Sequence, residues 1–234
     1  MAPDLKGGGG KQGGAESVIE RRRILIVDDH PVVREGLIQS INREDDLVVC
    51  AEAGDAQEAL AAVGKLAPDL VVVDISLPDR GGLELIKDIV ATEPGIAVLG
   101  FSMHDEAVFG ERVLRAGGRG YVSKDEDAST MLVAIRRVLD GGIYVSEKLL
   151  SLVLGGLSGT EKGESSSSMD LLTDRELEVF SLIGRALGTT EIAHSLNMSV
   201  KTVEAHRANI KLKLGLRSGL ELVRRAVLWV ESAR

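Results

Sequence analysis

At 234 residues the chain can hold two ordinary domains with a core each, and its 44% hydrophobic and 27% charged residues are the mix of a soluble globular protein. No apolar run approaches the roughly 18 residues that span a bilayer, and the one cysteine, Cys50, excludes an internal disulfide. The formal charge of −8 argues against a nucleic-acid partner only until its distribution is read: residues 170–234 carry ten Lys+Arg against eight Asp+Glu, which leaves −10 for the rest. Residues 1–20 are Gly-rich and polar without a period and are expected as a disordered tail; they hold no basic stretch followed by an apolar segment, so a cytoplasmic location with no membrane partner is expected. Aliphatic runs at Ile24–Val27, Leu47–Ala51, Leu70–Val73, Ala97–Phe101 and Gly120–Val122 predict strands. Helix-like segments lie between them, such as Pro31–Asn42 with Val33, Leu37 and Ile41 four residues apart. Five such βα units predict a doubly wound parallel sheet over residues 21–146. Residues 147–169 contain GGLSGTEKGESSSS and are expected as a flexible linker. Residues 170–234 show only helical patterning. Thr173 and Glu176 form a capping-box pattern ahead of an apolar stripe, Leu177, Phe180, Ile183 and Leu187, and three further helices are expected near 190–196, 200–214 and 218–230.

The stretch ILIVDDH drives a buried strand into two adjacent carboxylates, Asp28 and Asp29, and VVVDISLP ends another strand on Asp74. In an open parallel sheet, ligands bind at the carboxyl ends of the strands. Three carboxylates gathered on one such edge repel one another unless a cation sits among them, and hard oxygens suit Mg²⁺, with Mn²⁺ as the alternative. Ser102 and Lys124 end two more strands. Carboxylate, metal, hydroxyl and ammonium together can hold a phosphoryl group, because its transfer depends on positioning and charge neutralisation. On this reading Asp74 is the phosphoacceptor, the metal ligands are Asp28, Asp29, Asp74 and the Ser76 carbonyl, and Lys124 and Ser102 hold the transferred oxygens. His30 and His104 flank the site as outer residues.

These motifs, DD at 28–29, DISLPDRGG from Asp74, SMHDE from Ser102 and GYVSKD from Gly120, resemble a response-regulator receiver domain in residue type, order and spacing. The resemblance implies strand order 2-1-3-4-5 as in flavodoxin, phosphoryl transfer from a sensor histidine kinase to Asp74, and Ser102 with Tyr121 as a coupled switch pair. Leu77 stands where the family usually carries Met, a volume-conserving change.

In TTEIAHSLNMSVKTVEAHRANIKLKL a helix, a turn around Asn197–Ser199 and a second helix follow one another. Val203, His206, Ile210 and Leu214 form the inner stripe of the second helix. Lys201, Glu204, Ala208 and Lys211 form the outer one, the face that a helix entering a major groove presents. Together with LTDRELEVF and ELVRRAV, this block resembles the LuxR-type helix-turn-helix domain of the NarL/FixJ class. The resemblance implies base-edge contacts from Glu204, Ala205 and Ala208 and backbone contacts from Lys201, Thr202, Arg207 and Lys211. His206 has two readings, a packed core residue or a neighbour of the DNA backbone. In the last helix one apolar stripe can cover the core, and the other, Leu222, Ala226 and Trp229, is a candidate dimer surface.

The expected molecule is therefore a flavodoxin-like α/β receiver joined to a small all-α four-helix domain: a two-component transcription regulator that binds double-stranded DNA, as a homodimer when active. It is expected not to be a turnover enzyme, beyond its own phosphorylation and dephosphorylation. An aspartyl-phosphate hydrolase and a phosphorylation-independent DNA binder stay open as alternatives.

Overall fold

The computed structural model describes residues 21–77, 81–103, 106–147, 149–151, 169 and 171–233. The expected tail and most of the expected linker, 152–168, lie outside the described residues, as do Pro78 and His104. Strands β1 (Arg22–Val27), β2 (Leu47–Ala53), β3 (Leu70–Asp74), β4 (Ala97–Ser102) and β5 (Gly120–Ser123) pair in parallel in the order β2-β1-β3-β4-β5. Each runs one or two residues past the aliphatic run that predicts it. The ladder is a backbone property and continues through polar side chains: Asp74 pairs with Phe101, and Ser102 with Ser123.

The period-2 alternation of the strands sorts their side chains onto two covered faces, as in parallel sheets generally. Leu25, Val27, Val71, Val73 and Val98 pack with apolar residues of α2 (Ala56–Leu66), α3 (Gly82–Thr92) and α4 (Glu106–Arg115). Ile24, Ile26, Leu70, Val72 and Leu99 pack with Leu37 and Ile41 of α1 (Pro31–Asn42) and with Met131, Ala134, Ile135 and Val138 of α5 (Ala128–Leu139). Both faces being covered explains why the strands read as nearly unbroken apolar runs. Beyond α5, Leu149 is buried, and its side chain lies where a Cβ on Gly110 of α4 would stand. The beginning of the expected linker is thus packed on the sheet domain.

The C-terminal domain consists of α6 (Asp174–Gly184), α7 (Thr189–Ser195), α8 (Val200–Lys213) and α9 (Gly219–Ala233). The Thr173 hydroxyl accepts from the Glu176 N–H, and the Glu176 carboxylate accepts from the Thr173 N–H at 2.8 Å, which closes the expected capping box. Asn197, φ 50°, takes the left-handed conformation in the turn between α7 and α8, one that asparagine tolerates better than most residues. The expected dimer stripe is corrected. Leu222 and Ala226 are both 0% exposed in the core, and Trp229 stacks obliquely on Phe180 with ring centroids 5.4 Å apart. Leu222 and Ala226 are buried and Trp229 half-buried, with Ala226 close against Gly184 of α6, and the exposed apolar positions of α9 are Leu220 and Leu228.

Gly82, at the start of α3, sits where a Cβ would run into the Asp74 carbonyl and lie 2.6 Å from the Ile75 Cα. Backbone cannot yield as a side chain does. Gly82→Ala is therefore expected to lower stability by about 1–3 kcal/mol, read as a fall in the urea midpoint.

Candidate metal and nucleic-acid sites

The β1, β3, β4 and β5 ends converge on one edge of the sheet, where Asp28, Asp74 and Ser102 are fully buried. The Lys124 ammonium reaches in from the end of β5, 2.6 Å from Asp28 Oδ2 and 2.7 Å from Asp74 Oδ2, with its side chain only 7% exposed. Its own backbone N–H donates to the Ser102 carbonyl at 2.8 Å, which ties the end of β5 to that of β4. The Phe101 ring lies beneath the ammonium, 5.4 Å from its centroid. Burial disfavours the charged ammonium, yet the Asp74 and Asp28 carboxylates outweigh it and hold the Lys124 pKa above its ordinary value.

Each carboxylate is also oriented by backbone. The His30 N–H donates to Asp28 Oδ1 at 2.8 Å and the Ser76 N–H to Asp74 Oδ1 at 2.9 Å. Asp28, Asp29, Asp74 and His30 each bring a ligand atom to within 4.8 Å of the others, so the cluster can hold a metal ion. The donors are mainly hard carboxylate oxygens, which fits a hard divalent cation. His30 was expected only as an outer residue, and its Nδ1 lies 2.8 Å from Asp29 Oδ1. Ser76 lies in the turn after β3, and Tyr121 on β5 is 1% exposed. The Tyr121 ring is buried in this form of the protein.

In the C-terminal domain Lys201, Thr202, Glu204, Ala205 and Ala208 are exposed along α8, while Arg207 and Lys211 are half-buried. Val203 and Ile210 are buried on the inner stripe. His206 is half-buried and burial lowers its pKa, which supports the packed reading. Glu204 does not stand free for base reading. Its carboxylate accepts from the Thr189 hydroxyl at 2.8 Å and faces Arg207 at 3.7 Å. The Ser199 hydroxyl accepts from the Thr202 N–H at 3.0 Å and caps the helix.

Residues 24–136 match the response regulator receiver domain family, and residues 170–226 match the luxR family of bacterial regulatory proteins. The oxygen regulatory protein NreC of Staphylococcus aureus is 37% identical over 209 residues, which cover 88% of this chain and 96% of NreC. The chain is a NarL/FixJ-class response regulator. It belongs to the proteins that join a receiver to a LuxR-type DNA-binding domain in phosphorylation-dependent regulation of transcription. Among solved structures, a LuxR-family two-component response regulator from Aurantimonas sp. SI85-9A1 is 37% identical, with a TM-score of 0.53 over 56% of this chain and 94% of that one. RcsB of Salmonella enterica serovar Typhimurium, bound to promoter rprA with a phosphomimetic, is 26% identical, with a TM-score of 0.58 over 88% of this chain and 98% of RcsB.

The sequence leaves open whether the regulator's two domains dock, and here they meet through specific side chains. The Arg112 guanidinium of α4 donates to the Leu172 and Met169 carbonyls at 3.1 and 2.8 Å and to Asp174 Oδ1 at 2.6 Å. Lys87 of α3 reaches Asp174 at 3.4 Å. Arg175 donates to the Leu77 carbonyl and to Glu178 Oε2. Their local signal is weak, because an Arg on an amphipathic helix reads as solvated until the neighbouring domain is in place. Against this docked background the outer face of α8 stays exposed.

Removing the ammonium leaves two buried carboxylates facing one another. Lys124→Met is expected to destabilise the receiver by about 3–5 kcal/mol without added metal, with part of the loss regained in Mg²⁺, as read by urea denaturation in both conditions. Lys211→Ala, if it removes one phosphate contact, is expected to lower the slope of log affinity against log salt by about 0.9, read by fluorescence anisotropy on duplex DNA.

Proposed function

We propose that Asp74 accepts a phosphoryl group from a sensor histidine kinase and that the phosphorylated receiver controls DNA binding and dimerisation of the C-terminal domain. The observation that carries this reading is the Lys124 ammonium bonded at once to Asp28 and Asp74, beside buried Ser102. The same ammonium and hydroxyl are positioned to take up the transferred oxygens once Lys124 gives up its hold on the carboxylates. Asp28, Asp29 and Asp74, which lie close enough together to share an ion, would hold Mg²⁺, or Mn²⁺ in its place, with the Ser76 carbonyl as a further ligand, and the ion would supply charge neutralisation for the incoming phosphoryl group. Ser102 and Tyr121 then serve as the switch pair, with Ser102 engaging the phosphoryl oxygens while Tyr121 keeps its buried place.

Lys201, Thr202, Arg207 and Lys211 are assigned to the DNA backbone, and Ala205 and Ala208 to close approach in the major groove. Glu204 is assigned first to holding Thr189 and Arg207 in place and second to reading a base. The exposed face of α8 favours control by fixing the domain in position and limiting pairing of two copies, rather than by covering the recognition helix. Dimers of the relative RcsB bound to DNA support two-fold assembly. The exposed Leu220 and Leu228 of α9 are better candidates for that contact than the buried Leu222 and Ala226. The division of labour is receiver 21–146, linker 147–169 and DNA-binding domain 170–234. The regulator acts in the cytoplasm, and it is not a turnover enzyme.

The test is the affinity of wild type and Asp74→Asn for duplex DNA selected from random sequence, each with and without Mg²⁺ and a small phosphodonor at one stated salt concentration. Only the wild type is expected to gain affinity, and only with both additions. Equal affinity in all conditions would remove the switch and leave a constitutive DNA binder. Sustained release of phosphate from the donor would instead favour a hydrolase.

A further inference from the structure

The first turns of α6 meet the receiver beside the turn that follows Asp74. One arm of the Arg175 guanidinium donates to the Leu77 carbonyl, and the other donates to Glu178 Oε2 at 2.5 Å. Glu178 is 1% exposed and borders a cavity of about 120 Å³ shared with Gly81, Leu83 and Glu84 of the receiver. The charged groups around it come from three other elements as well as its own. Asp174 and Arg175 share its helix, Asp74 lies at the end of β3, Glu84 and Lys87 project from α3, and Arg112 projects from α4. Lys87 is committed to Glu84 at 2.7 Å and reaches Asp174 at 3.4 Å, and Arg112 is committed to Asp174. Arg175 is thus the one cation bonded to Glu178 among the described residues, and it shares its donors with Leu77.

An ionised carboxylate shut away from water with half a guanidinium as counter-charge is costly. Burial pushes the Glu178 carboxyl up to about 7, against the pull of Arg175, and the charges on Asp74 and Asp174 add to the rise. We propose that Glu178 and Arg175 form a proton-linked latch between the domains: the docked chain holds a proton on Glu178 that it releases when the domains part. The latch rests on the switch reading above for its consequence, though not for its test. The sign follows from linkage. Below the ordinary value of 4.5 both forms hold the proton, and docking is at full strength. Between 4.5 and about 7 parting releases the proton, so rising pH favours the parted form by up to about tenfold per unit. Above that window Glu178 is ionised in both forms and the dependence ends. A phosphoryl group on Asp74 adds negative charge on the side that already repels Glu178, so phosphorylation and rising pH push the domains the same way.

The test uses the full chain with Cys50→Ser and nitroxide labels at Gln39→Cys and Arg224→Cys, both exposed positions in different domains. Inter-label distances are measured by double electron–electron resonance from about pH 5 to about pH 8, without DNA, metal or phosphodonor. The latch predicts one short distance at low pH and a growing long-distance population as pH rises. Glu178→Gln, neutral throughout, should stay docked with no pH response. Arg175→Met, which removes the counter-charge, should dock at low pH and part more fully than wild type at high pH. A flat wild-type profile, an equal pH response in Glu178→Gln, or an Arg175→Met profile that overlays wild type would each overturn the latch. Should Glu178→Gln fail to fold by circular dichroism, the Arg175→Met comparison decides alone. Loss of the phosphodonor effect on DNA affinity with this pH response intact removes the switch and keeps the latch, and the converse removes only the latch.

Discussion

Lys124 carries its ammonium into a nearly closed site between Asp28 and Asp74, and three strand ends are organised around that bridge. Two buried carboxylates this close are tolerable only with positive charge between them, and a buried ammonium only with negative charge on both sides. Neither half is stable alone, so β1, β3 and β5 must end at the same level of the sheet. The backbone bond from Lys124 to the Ser102 carbonyl extends the same constraint to β4. A site held together by one cation is open to exchange. Whatever brings other charge to Asp74 alters what Lys124 can hold, and this is the property a phosphoryl switch requires.

The route out of the site is short. The turn after Asp74 presents the Leu77 carbonyl, and Arg175 from the second domain takes it. Arg112 and Lys87 secure the neighbouring Asp174, so the first turn of α6 is held by three cations from the receiver and from its own chain. This also accounts for α6 being buried almost throughout: one side meets α8 and α9, and another meets the receiver. A helix used on two sides has no solvated stripe, which is why Glu176 and Glu178 are buried although they are acidic. Glu176 is provided for by Thr173 and Lys213, whereas among the described residues Glu178 is bonded to Arg175 alone.

Most of the fold is legible in the sequence because its signals are local. Aliphatic runs at period 2, Pro31 at a helix start, and the Thr173–Glu176 pair each act within a few residues of themselves. The acidic site is legible for a related reason: Asp74 and Ser102 end strands, Asp28, Asp29 and Lys124 directly follow them, and a parallel sheet gathers strand ends on one edge. The dimer stripe on α9 was not legible. Two apolar stripes of similar strength lie on that helix, and only the fit of Gly184 against Ala226 and of Phe180 against Trp229 shows which one turns inward. The bond between Glu204 and Thr189 was not legible either, since the two lie 15 residues apart on different helices.

The sequence by itself determined a five-stranded parallel receiver, a small helical DNA-binding domain, and the residues that end each strand at the acidic edge. These follow from hydrophobic periodicity, capping and motif spacing, which depend on neighbours along the chain. Only the tertiary structure decided that Lys124 bridges two buried carboxylates, that the domains dock through Arg112 and Arg175, and that Glu178 is shut into their interface. Those features depend on burial and on pairs 50 to 98 residues apart. The energy of a charge is set by the water and partners that surround it in space, and a linear sequence records neither.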